Sequence, residues 1–197
     1  MKKILLSLAI IALSFNAYAQ DSRLKEIRKL YSDALSKIEK MKEEINGRES
    51  MVVKKQYIVP AIGPVEETIE FYATDVADGE KNPGGTEFKP FFIRVKTDAR
   101  PTTMGVTYEE FLYYPETFKL AFYFKKHSHT YAEEPVFLEE RTYLDKNSKF
   151  ITGDLKLVSQ EDSKTILNDE IQYDSHDEHY IEESSKLIQG FNLLMNR

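Results

Sequence analysis

Residues Tyr108–Lys126, YEEFLYYPETFKLAFYFKK, decide the fold of this chain. Aromatic and apolar side chains crowd two arms, Tyr108–Tyr114 and Phe118–Lys126, and Pro115-Glu116-Thr117 separates them. That pattern predicts two antiparallel strands joined by a hairpin tip. Phe118, Leu120, Phe122 and Phe124 alternate, which predicts that all four share one face. Working outward, the period of two recurs in Met51–Val59, Val65–Thr74, Phe91–Thr97, Val136–Leu144 and Phe150–Val158. Pro60, Gly63-Pro64, Asp78-Gly79, Pro101 and Asp145-Lys146-Asn147 supply the breaks between strands. Glu109–Tyr113 (EEFLY) is echoed by Glu139–Tyr143 (EERTY), but two copies fall short of a repeat architecture and read as similar hairpins of a meander. Gln160–Tyr173 is ambiguous between a short helix and a last strand. The expectation is a sheet of about six or seven strands.

Helical spacing flanks these strands on both sides. Leu24, Ile27, Tyr31, Ala34, Ile38, Met41 and Ile45 recur at alternating steps of three and four, which predicts a helix over Asp21–Ile45. Asp21 or Ser22 would cap its start, and Asn46-Gly47 would end it. Leu30 and Leu35 widen the seam beyond a strict coiled-coil stripe, which favours packing on a sheet over pairing with another chain. Tyr180-Ile181, Ser184, Leu187-Ile188, Phe191 and Leu194-Met195 predict a C-terminal helix with one apolar face. Helix, curved antiparallel meander, helix is an α+β order. As an order of elements it resembles cystatin-like and related folds, which lay a helix on a curved sheet.

The first twenty residues carry a separate message. Lys2 and Lys3 precede an apolar stretch from Ile4 to Phe15, and Ala17-Tyr18-Ala19 precedes Gln20. This is the pattern of a secretory signal peptide over 1–19, cleaved to leave 20–197 as a single α+β domain. The apolar stretch is shorter than the ~20 residues of a membrane span, so a cleaved leader is expected, not a membrane anchor. The sequence has no cysteine, which rules out a lipid-bearing cleavage site, disulfides, thiolate metal ligands and cysteine nucleophiles. The expectation is an exported, periplasmic or secreted protein of bacterial type that is not a lipoprotein.

Charge and motifs narrow the function. The chain carries a net −6, and between Gln160 and Ser185 nine acids face Lys164 alone. No comparable basic block exists, so nucleic acid is not an expected partner. The acidic block has neither the alternating ligands nor the glycine of a calcium loop, and reads as a solvated face. Nucleophile elbows, His-Glu-x-x-His and phosphate-binding loops are missing from the sequence. Paired acids such as Glu109-Glu110 point to opposite faces of a strand, so they do not make a facing catalytic pair.

The histidines fall in two pairs, His127-Ser128-His129 and His176-Asp177-Glu178-His179. Brought together, they could hold a divalent transition metal and activate water for a metal-assisted hydrolase. The plainer reading makes them exposed residues at the ends of elements. Aromatic residues, twelve Tyr and twelve Phe, concentrate on the strands. An aromatic face left open could hold a peptide or glycan, whereas a covered one would be core. The expectation is a non-catalytic binding or accessory role toward an envelope protein, peptide or glycan. The alternatives are the histidine metal site and an assembly role for the N-terminal helix.

Overall fold

The computed structural model describes residues 2–43, 50–77, 86–100, 105–131, 134–170 and 179–195, with side chains from residue 21 onward apart from a few at strand ends. Helix α1 spans Lys2–Glu43 without a break. It therefore begins well before the Asp21–Ser22 start expected from capping. No Gly or Pro interrupts Lys2–Glu43, and the Leu, Ala and Ile of the first turns are good helix formers. Asp21 consequently sits inside the helix, where it pairs with Lys25 at 2.7 Å. Ile45 and the Asn46-Gly47 stop lie outside the described residues.

Eight strands follow: β1 (Ser50–Val59), β2 (Gly63–Ala77), β3 (Thr86–Asp98), β4 (Val106–Tyr113), β5 (Leu120–Tyr131), β6 (Glu134–Leu144), β7 (Phe150–Ser159) and β8 (Thr165–Glu170). Helix α2, His179–Met195, closes the described chain. The strands form one sheet in sequence order, and every neighbouring pair is antiparallel. The expected six or seven strands are thus corrected to eight, and the described fold is mostly sheet. The added strand is β8, where Leu167 lies opposite Leu157. Six residues with four polar side chains are too few for a period of two to stand out from a helical one.

The helices take opposite faces. Ile27, Ala34, Ile38 and Met41 of α1 pack with Tyr72, Phe92, Leu112, Phe122 and Tyr143. On the other face, Tyr180 and Phe191 of α2 pack with Phe71, Ile93, Phe111, Tyr113 and Tyr123. A sheet covered on both sides needs consecutive apolar residues, not alternation, and Phe111–Tyr113 and Phe122-Tyr123 supply them. This two-sided arrangement replaces the cystatin-like picture of a helix laid on one curved sheet. It also makes core of many aromatics that could have formed an open platform.

Three of the four register shifts fall in the row beneath α1, at Tyr72/Ala73, Leu112/Tyr113 and Tyr143/Leu144. Bulges bend their strand and increase its twist, which wraps the sheet toward the helix there. The same irregularity corrects the expected alternation in β5. Leu120 packs in the α2-side core, while Phe122 and Phe124 belong to the α1 side. Phe118 precedes the strand in a turn, with φ of 53°. Among the described residues, no helix is long and apolar enough to cross a membrane.

Candidate functional site

Register on the α1 face builds a mostly charged row across six strands, β2 to β7. Glu70 lies opposite Arg94, Arg94 opposite Glu110, Glu110 opposite Phe124, Phe124 opposite Arg141, and Arg141 opposite Asp154. This row borders the apolar residues beneath α1, so α1 ends up packed on rings and facing ions. Its centre is Glu110, only 3% exposed. The Glu110 carboxylate accepts from Tyr31 Oη at 2.5 Å, Tyr108 Oη at 2.8 Å and Arg94 Nε at 3.1 Å. Tyr31 comes from α1, so this buried carboxylate ties the helix to the sheet.

The tyrosines around this cluster are held protonated. Burial, then the hydrogen bond to Glu70, pushes the Tyr72 phenol up to about 12. Burial first, and then Glu110, also raises Tyr31 and Tyr108. An unfolded phenol ionises near ~10, so above that pH the unfolded state sheds protons that the folded state keeps. Stability from these groups is therefore complete below ~pH 10 and is lost as pH climbs through the raised values. Circular dichroism should show alkaline unfolding, with tyrosinate absorbance rising together with the loss of structure. A normal tyrosine titration of a still-folded chain would contradict this.

Beside the cluster, α1 and the sheet frame a half-open cavity of about 250 Å³, lined by Ile27, Arg28, Tyr31, Phe122, Phe124, Arg141 and Tyr143. The ring of Phe122 lies 5.1 Å from those of both Tyr31 and Tyr143. Arg141 is stacked on Phe124 at 5.1 Å and held by Glu139 at 2.7 Å and Asp154 at 3.2 Å. Arg28 differs. Its guanidinium lies 5.8 Å over the Tyr143 ring, and it makes no ion pair among the described residues. A second cavity, about 270 Å³, lies between α2 and the sheet. Its charges are satisfied: Lys55 pairs with Glu67 and Lys186 with Glu183, both at 2.9 Å, and Glu109 accepts from Tyr123 Oη at 2.6 Å.

The three described histidines lie elsewhere. His127 and His129 share the α2-side face of β5, with ring centroids 6.3 Å apart. Burial, with Lys125 and His129 adding to it, lowers the His127 pKa, and its buried Nδ1 has no hydrogen-bond partner among the described residues. His179 opens α2 with its ring 6.2 Å from Tyr123. Tyr123 is four residues from His127 along β5, roughly 13 Å at strand rise. His176 lies outside the described residues. Among the described residues, no group of three or more His, Asp or Glu is placed to hold a metal ion.

Sequence reading did not find the Glu110 cluster or the cavity. It placed Glu109 and Glu110 on opposite faces, as they are, but assigned no partners to either. The partners come from β3, from α1 and from the register between them. No protein-family model matches this chain, and no curated protein or solved structure matches it either. What the geometry defines is a class of architecture: an eight-stranded antiparallel meander with a helix on each face and a ring-lined cavity under one of them.

Proposed function

We propose that this is an exported, non-catalytic binding protein that seats a small planar ligand in the cavity between α1 and β5–β6. The observation that carries the reading is the cavity itself, where Ile27 and the rings of Phe122, Phe124 and Tyr143 meet two arginines. Ligand sites are concave and mainly apolar, with a few placed polar groups, and about 250 Å³ suits a ligand below drug size. Planar molecules fit because flat rings bury area with little loss of freedom. Export rests on the leader pattern of residues 1–19, and processed protein should begin at Gln20. The sequence offers neither a nucleophile elbow nor a phosphate-binding loop, which supports binding over turnover.

Naphthamide, a planar neutral probe, tests the seat. Calorimetric titration of the full chain should saturate at one site, with the probe recovered unchanged. Phe124→Ala should weaken binding by about tenfold, the scale expected when one stacked ring is lost. No saturable binding, or binding indifferent to Phe124, would overturn the proposal.

The seam of α1 is occupied within the chain. Ile27 is 1% and Ile38 0% exposed, and both pack on the sheet. Of the residues that would serve a second chain in the assembly reading, Ile38 is buried in this core and Leu24 and Tyr31 pack partly against it.

A further inference from the structure

Resting on that reading, we infer that the cavity selects planar ligands carrying a carboxylate, and that Arg28 is the residue that reads it. A guanidinium is a planar fork of donors that matches a carboxylate in two parallel hydrogen bonds. Arg141 could offer the same fork, but Glu139 and Asp154 already accept from its two terminal nitrogens. Arg28 stacks on Tyr143 with its donors uncommitted among the described residues, and it stands exposed at the edge of the cavity. Tyr143 orients this guanidinium by the attraction of a cation to a ring face, which lowers the ordering cost when an anion arrives.

The surrounding field points the same way. Glu139 also pairs with Lys126 at 3.1 Å, and Asp154 with Lys156 at 3.7 Å. Around these two carboxylates stand Arg141, Lys126 and Lys156, and Arg28 adds a fourth cation. Facing them across the row, Glu70 and Glu110 flank Arg94, and the Glu110 carboxylate is committed to three donors. In this acidic chain, the charged side chains that line the cavity itself are both arginines, Arg28 and Arg141. A wall of rings with one free guanidinium at the rim fits a ligand with a flat apolar body and a single anionic end.

The test compares naphthoate with naphthamide, which share a body and differ in charge, on the full chain and on Arg28→Gln. Arg28 is exposed, so the variant should fold. Naphthoate should bind at least about tenfold more tightly than naphthamide, with the gap narrowing as salt rises. Arg28→Gln should bring naphthoate to the level of the amide. Equal affinities on the unaltered chain would overturn carboxylate selection while leaving the planar seat standing. A preference that survives Arg28→Gln would overturn the role of Arg28. If neither probe binds, the seat itself falls, and this inference with it.

Discussion

Ile38→Asp should leave the protein unfolded under conditions in which the unaltered chain is folded. Ile38 is 0% exposed, in the middle of the α1 seam, amid the cluster that includes Tyr72, Phe92 and Leu112. The substitution removes a buried aliphatic side chain worth about 2–5 kcal/mol when truncated. It also places a carboxylate where water cannot reach it, adding several kcal/mol or forcing it to stay protonated. Against a total stability of ~5–15 kcal/mol, the two together are decisive. Chemical denaturation followed by circular dichroism reads the effect. Ile38→Val, at about 0.5–1.5 kcal/mol, is the mild control. Wild-type stability of Ile38→Asp would show that α1 is not seated on the sheet.

The second large effect belongs to Glu110. Replacing it with Ala strands three donors at once: the Tyr31 and Tyr108 hydroxyls and the Arg94 guanidinium. Breaking a buried ion pair from one side costs about 3–5 kcal/mol, because the remaining charge is left unpaired. Arg94 is held on the Tyr72 and Phe92 rings, at 5.9 and 5.3 Å, so it has little freedom to swing out to water. Glu110→Gln keeps an acceptor oxygen and the volume, and should lose less. Arg94→Leu combined with Glu110→Leu should recover part of the Ala loss, since neither charge is then left alone. If Glu110→Ala melts like the unaltered chain, the cluster does not tie α1 to the sheet.

These two predictions differ in how far the sequence could anticipate them. The burial of Ile38 was legible because helical spacing alone marks the apolar face. The same holds for α2 and for seven strands, whose period of two and breakers are local properties of the chain. β8 was legible only as an ambiguity, because a short edge strand pairs on one side and carries few apolar residues. The bulge at Leu112/Tyr113, which sends Leu120 to the opposite face from Phe122, left no local signature.

The sequence by itself determined the apolar seams of the two helices, seven of the eight strands, and the leader-like character of the first residues. It did so because periodicity and turn chemistry act within a few residues. Only the tertiary structure decided that the two helices take opposite faces, and that Glu110 meets Tyr31 across 79 positions of chain. The same holds for the cavity, which joins α1 residues 27–31 to β5 and β6. Such meetings depend on register, where a one-residue slip exchanges the two faces of a strand. Local spacing does not encode that register across six strands. It is set when two apolar faces are buried at once, and the charged row and the cavity follow from it.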